Sequence, residues 1–448
     1  MSEFTTGRPP ADRRKFVSEA VESTIARLRR AIADPELSWL FENCFPNTLD
    51  TTVRYRMIDG KPDTFIVTGD IDAMWLRDSA AQVWPFLPLA RDDRKLRDLI
   101  AGVIRRQAKC ILTDPYANAF NDGPAKSEWA GDLTDMKPEL HERKYEVDSL
   151  CYPVRLAYGY WKSTGDGSVF DGTWREAMRL AVATLREQQR RHGSGPYRFQ
   201  RVSAVPYDTV PLGGFGNPSR PCGLIHSAFR PSDDACIYPY LVPANMFAAV
   251  ALRALEELSS TELHDRAFAR ECADFNDELR EAVEVSAVAI HPAHGPVYAY
   301  EVDGFGNALF MDDANVPSLL ALPYLGWCAA TDERYRATRT FLLSGDNPYF
   351  FRGTSGEGIG GPHVGLDMIW PMGIIVRALT STEDGEILRC LRMLKATHAG
   401  TGFMHESFHK DDPANFTRGW FAWANTLFGE LILRLDAERP ALLARPVI

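Results

Sequence analysis

One arrangement recurs six times along this chain. A polar or acidic loop runs into an apolar, aromatic stretch that carries a proline, only the last lacking it. The segments are Trp75-Leu76-Arg77-Asp78-Ser79 running on to Pro85, Glu146-Val147-Asp148 to Pro153, Ser232-Asp233-Asp234 to Pro239, Asp312-Asp313-Ala314-Asn315 to Pro317, Gly365-Leu366-Asp367 to Pro371, and Thr417-Arg418-Gly419-Trp420. Proline in a first helical turn costs little, because the first N–H groups of a helix have no intrahelical partner. An Asp ahead of it can cap the same helix. Between these segments lie more polar, amphipathic stretches near 93–112, 173–190, 262–284, 333–343 and 382–396. Apolar helices alternating with amphipathic ones are what a double-layered ring of helical hairpins needs. All inner helices would then start at one end, and six acidic loops would meet over one cavity. The plainer alternative is a set of unrelated caps in an ordinary helical array.

The class is mainly α. Strand-like segments are few and short (Thr64 to Thr68, Pro196 to Gln200, Val297 to Val302) and read as hairpins in loops. An amphipathic helix over Val17 to Ala33 ends at Asp34-Pro35. No composition break marks a second domain, so we expect an N-terminal helical extension over 1–34 and one barrel over 35–440. The chain carries 50 Lys plus Arg against 60 Asp plus Glu, a net charge of −10, which argues against a broad nucleic-acid face. The first residues, MSEFTTGRPPADRRKF, are charged where a secretion signal is apolar, and nothing approaches a membrane span. The eight scattered cysteines show no Cys-x-x-Cys pair and no zinc spacing. Reduced thiols in a cytoplasmic protein without metal or cofactor are the expectation.

Several constellations carry chemistry. In Arg230-Pro231-Ser232-Asp233-Asp234, an Asp234 that caps a helix would stay ionised, and the charge beside it would raise Asp233 to the range of a general acid. A double cap with Arg230 at the surface is the structural alternative. In Gly402-Phe403-Met404-His405-Glu406-Ser407, a carboxylate in an apolar surround suits a general base, whereas one His beside one Glu is a poor metal set. Asp70-Ile71-Asp72-Ala73-Met74-Trp75-Leu76-Arg77-Asp78 combines carboxylates, Arg and Trp as sugar sites do, or pairs Arg77 with Asp78 across a turn. The Gly-rich 347–363 stretch has no phosphate-cradle spacing and reads as a mobile loop lining a cleft. Trp420 and Trp423 are spaced to share one helix face.

Taken together, TGDIDAMWLRDS, KYEVDSLCYP, FRPSDDACIYPYLVPANMF, MDDANVPSLLALPYLG, RGTSGEGIGGPH, GFMHESF and FTRGWFAWANTLFGE resemble glycoside hydrolase family 125, the exo-acting α-1,6-mannosidases, from about residue 35 to 435. The resemblance implies an (α/α)6 barrel and metal-independent, inverting release of terminal mannose from an α-mannoside oligosaccharide or N-glycan fragment. It places the acid on Asp233 or Asp234, with Asp233 favoured by the charge argument, and the base on Glu406. Asp72, Arg77, Asp78, Arg230, Asp234, Asp313, Asn315, His363 and His405 are the expected sugar-binding residues, with Trp75 or Trp420 as the stacking wall. A sugar epimerase or isomerase would want paired His bases, whereas His226, His363 and His405 fall in different segments. A calcium-dependent mannosidase and a non-catalytic glycan-binding barrel are the other readings.

Overall fold

The computed structural model describes residues 4–447. Twelve of its helices pair into six hairpins. The outer members are Pro35–Cys44, Arg94–Thr113, Gly172–Glu187, Arg266–Ser286, Glu333–Leu342 and Asp384–Ala396. Each leads to an inner member: Leu76–Val83, Val147–Thr164, Val242–Thr261, Leu322–Leu325, Pro371–Leu379 and Ala422–Glu438. The last inner helix packs on both the fifth and the first, closing the ring into an (α/α)6 barrel. The inner helices are buried on most faces; Pro371–Leu379, for instance, is buried at every residue. The outer helices bury one stripe, as Arg94–Thr113 does with Leu96, Leu99, Ile100, Val103, Ile104 and Ile111.

The two rings are capped differently. Asp34, Asp93, Asp171, Asp265 and Asp332 cap outer helices, each accepting from backbone N–H two or three residues on. No inner helix has a side-chain cap; their first residues follow Trp75, Glu146, Leu241, Ala321, Trp370 and Phe421. The acids that the sequence sets before the inner helices were expected as caps and are not. They are left to face one another over the ring's end.

Helix boundaries differ from the sequence reading where the chain is irregular. Residues 235–239 and 313–321 form loops, and the inner helices there begin only at Val242 and Leu322. Pro153 lies inside its helix and not in the first turn. Of the expected strands, 196–200 forms a single bridge, Leu133 to Gln200. Val53–Ile58 and Lys61–Ile66 pair as an antiparallel hairpin whose Asp59-Gly60 turn has positive φ at both residues, the geometry of a type I′ turn. Short strands lie at the starts of three inner helices: Met74–Trp75, Tyr240–Leu241 and Met368–Ile369. The helix Glu19–Ala31 joins the main hydrophobic core through Val21, Ile25 and Leu28. Among the described residues no helix is long and apolar enough to cross a membrane.

The hairpin sits on the helix Arg94–Thr113 at Gly102, where a Cβ would lie 2.3 Å from Thr64 Oγ1 and 2.9 Å from its backbone nitrogen. Because backbone cannot swing aside, Gly102→Ala is expected to cost ~1–3 kcal/mol by overpacking, despite alanine's better helix propensity. Chemical denaturation checks this; a variant as stable as the parent contradicts the contact.

Candidate active site

A pocket of about 420 Å³ opens where the inner helices begin. Thr68, Ile71, Trp75, Arg77 and Asp78 line it from the first hairpin, Pro231, Ser232 and Asp233 from the third, and Asn315 from the fourth. His363 and Trp370 come from the fifth, and Glu406, Arg418, Phe421 and Trp423 from the last. The second inner helix contributes through Glu146 and Asp148, which reach Arg77. Asp233 and Glu406, the two acids singled out in the sequence, thus meet in one cavity.

Arg77 is buried and organises the floor. Its Nη1 donates to Glu146 Oε2 (2.6 Å) and Asp148 Oδ2 (3.2 Å), and its Nη2 to Asp233 Oδ1 (3.4 Å). Asp78 is a looser neighbour at 3.6 Å. The expected Arg77–Asp78 turn pair is therefore the weakest of its contacts. Burial pushes the Asp78 carboxyl up to about 6, against the pull of Arg77 and with help from Asp233.

Asp233 is not at a helix start. It sits in a turn with φ of +67°, in which its N–H donates to Arg230 O (2.9 Å) and Arg230 N–H donates to Asp234 O (2.8 Å). Arg230 is buried, not at the surface, and its Nε donates to Glu301 Oε1 (2.6 Å). Glu301 Oε2 accepts from the backbone N–H of Ile237 and Tyr238. Arg230 therefore braces the loop and does not line the pocket. Asp233 Oδ1 also accepts from Asn118 Nδ2 (3.3 Å), and Lys144 Nζ donates to the Asp233 carbonyl (2.8 Å).

The charge order expected for the two aspartates is reversed. Burial would raise Asp233, but Arg77, Lys144 and the hydrogen bond from Glu146 hold it down to about 2. Burial raises Asp234, only partly offset by His363. The cause is plain: with no helix at this point, Asp234 has no cap to keep it ionised, and the cations gather on Asp233. Asp234 lies just outside the pocket, with Oδ1 2.9 Å from His363 Nδ1. Burial opposes a charge on His363, yet the bond to Asp234, backed by Asp233 and Glu406, carries the imidazole up to about 9.

On the opposite wall, Arg418 Nε lies 3.3 Å from Glu406 Oε1, and its Nη1 3.3 Å from Asp70 Oδ1. Glu406 is itself buried. Asn315 Nδ2 donates to Asp313 Oδ1 (2.9 Å), so Asp313 holds Asn315 and stays behind the lining.

Three expected sugar contacts lie elsewhere. Asp72 is 71% exposed and pairs with Arg54 at 2.6 Å, whereas Asp70 in the same turn, also exposed, reaches Arg418. His405 has Nδ1 3.0 Å from Arg418 O and Nε2 3.2 Å from His398 O, and it stacks on Phe416, which uses both ring nitrogens within the protein. Trp420 precedes the helix that starts at Ala422, so it shares no helix face with Trp423; the aromatic lining is Trp75, Trp370, Phe421 and Trp423. The Gly-rich stretch is not a free lid. A Cβ on Gly360 would fall 2.1 Å from Met368 O, and one on Gly361 2.9 Å from Asp313 Oδ2, so glycine there permits close backbone approach, and of this stretch only His363 reaches the pocket. Sequence reasoning left Glu146, Asp148, Asn118 and Arg418 out of the site. The first two and Arg418 stood in the six recurring segments, which was the available signal; Asn118 had none.

With pH, the His363–Asp234 bond stabilises the fold fully below the unfolded histidine value of roughly 6.5, and that contribution is lost as pH rises through about 9. Histidine side-chain NMR should show His363 titrating near 9 and moving toward the ordinary value in Asp234→Asn. A wild-type titration near 6.5 contradicts the assignment.

Comparison with known proteins follows this geometry. The model of the metal-independent α-mannosidases, GH125, matches residues 34–433. The meiotically up-regulated gene 157 protein of Schizosaccharomyces pombe is 43% identical, over 98% of this chain and 90% of its own length. A Streptococcus pneumoniae protein of the metal-independent α-mannosidases, solved as a non-productive complex with α-1,6-mannobiose, superposes with a TM-score of 0.91 at 43% identity, covering 95% of this chain and 100% of that one. A family 78 rhamnosidase of Bacillus sp. GL1 shares only the fold, with a TM-score of 0.52 at 12% identity, over 94% of this chain and 35% of its own.

Proposed function

We propose that this chain, which belongs to the metal-independent α-mannosidases of glycoside hydrolase family 125, releases terminal mannose from α-1,6-linked mannosides by acid–base hydrolysis with inversion. The α-1,6 linkage is supported by the mannobiose held in the Streptococcus pneumoniae relative. The observation that carries the mechanism is that Asp233 and Glu406, far apart in sequence, line the same pocket. An inverting enzyme needs two carboxyl groups on opposite faces of the sugar, separated widely enough for a water. Asp233 protonates the leaving oxygen as the C1–O bond breaks. Glu406 takes a proton from the water that attacks C1 from the other side, its carboxylate oriented by Arg418. Arg77, Asp78, Asn315 and His363 offer the donors and acceptors that sugar hydroxyls require, and Trp75, Trp370, Phe421 and Trp423 offer apolar walls.

We take 35–440 as the catalytic barrel and 1–34 as an extension to it, a division supported by the helix Glu19–Ala31 packing on the core from outside the ring of hairpins. All eight cysteines are free thiols, in keeping with a reducing, cytoplasmic setting.

Glu406→Gln is expected to lose ~10²–10⁴-fold in kcat on α-1,6-mannobiose while staying folded. NMR of the first product should show the β anomer, the 1,2- and 1,3-linked isomers should turn over more slowly, and chelator should leave the rate unchanged. Retained activity in Glu406→Gln would remove it as the base. Isomer formation from free mannose, or mannoside binding without hydrolysis, would favour the epimerase or the binding-module reading.

A further inference from the structure

Four carboxyls from three chain segments converge on the Arg77 guanidinium: Glu146, Asp148, Asp233 and Asp78. Arg77, Asp78, Glu146 and Asp148 are all buried. One positive charge cannot hold four negative ones in a site of low dielectric, so the cluster retains protons at neutral pH. The next cations, Lys144 and His363, also act on Asp233 but are shared with other acids. Lys144 reaches Asp208 (2.7 Å) and Glu142 (3.6 Å), and His363 pairs with Asp234.

Two carboxylate oxygens of the cluster are buried without a donor, Glu146 Oε1 and Asp148 Oδ1, and of these two groups Glu146 is the one within reach of Asp233. Glu146 Oε2 accepts from Arg77 Nη1 and from Ser149 Oγ (2.7 Å), whereas Glu146 Oε1 is buried without a donor. The carboxyl of Asp233 lies within hydrogen-bonding reach of Glu146. Two carboxyls within hydrogen-bonding reach and drawn to one guanidinium repel each other, and a proton between them relieves that repulsion.

We propose that Glu146 and Asp233 share one proton, which Glu146 keeps while the pocket holds only water and Asp233 receives when a mannoside enters. Burial drives Glu146 well above the carboxylate range, against the opposing pull of Arg77, while the cations around Asp233 hold it down to about 2. An acid that is ionised in the open pocket thereby has a source for its proton. The groups facing the pair are Arg77 and Asp78 from the first inner helix, Asp148 from the second, Lys144 ahead of it, and His363 across the pocket. In turnover one proton leaves Asp233 for the glycosidic oxygen and the C1–O bond breaks. The water oxygen bonds to C1, and its proton goes to Glu406 and then to solvent. One proton returns from solvent to the pair. Glu146 touches no reacting atom and is a positioning residue acting through Asp233.

The inference rests on Asp233 being the acid, so the test uses two substrates. α-Mannosyl fluoride leaves without protonation, whereas α-1,6-mannobiose needs the acid. Asp233→Asn should lose activity on the disaccharide and keep most of it on the fluoride; equal losses would strike down the reading of Asp233, and the shared proton with it. Glu146→Gln gives Asp233 a permanent N–H donor and no proton to receive. It should lose ~10²-fold in kcat on mannobiose and remain within about threefold on the fluoride. The alkaline limb of its kcat/KM profile should move to lower pH. Equal losses on both substrates, or an unmoved alkaline limb, would overturn the sharing while leaving Asp233 as the acid. Should Glu146→Gln fail to fold, infrared difference spectra of wild type and Asp233→Asn decide: loss of a buried protonated-carboxyl band supports the shared proton, and its absence overturns it.

Discussion

The pocket depends on a single buried guanidinium. Arg77 draws together the starts of the first two inner helices and the loop before the third, through Glu146, Asp148 and Asp233. Truncating it would leave those carboxyls without their counter-charge, and a buried pair broken on one side is costly because the survivor stays desolvated. The same residue couples structure to chemistry. It lowers Asp233, competes with burial at Asp78, and forces the proton inventory of the cluster to be shared and not assigned residue by residue.

That arrangement is possible because helix capping is delegated. The outer helices spend five aspartates on their own N–H groups, and the inner helices start from short strands and aromatic residues without side-chain caps. The N-terminal ends of helices favour negative charge, so a ring of inner helices starting at one end offers carboxylates a favourable field without fixing them as caps. Glu301, Arg230 and Asp313 stand behind the lining and hold Asp233 and Asn315 in place.

Most of the ring was legible in the sequence. Hydrophobic periodicity identified five of the six outer helices and missed Pro35–Cys44, and the sixfold recurrence marked the inner ones and pointed to one cavity at one end. What failed was local. Asp72 and Asp70 stand two apart in a turn, and nothing in their spacing says that Asp70 faces Arg418 while Asp72 faces Arg54. Trp420 and Trp423 have helical spacing, but the helix begins between them. Asp234 has the composition of a cap and no helix to cap. In each case a periodic rule was applied to a stretch that has no period.

The order of apolar and amphipathic segments by itself sets a mainly helical chain with two kinds of helix, because an inner helix must bury nearly all of its surface and an outer helix only a stripe; closure of the ring was decided by the tertiary structure. The types of residue at the six loops likewise set the chemistry available there. Tertiary structure alone decided which acid carries charge. Ionisation depends on distance to cations brought in from other segments and on removal of water, and Arg77 meets Asp233 only once the ring has closed.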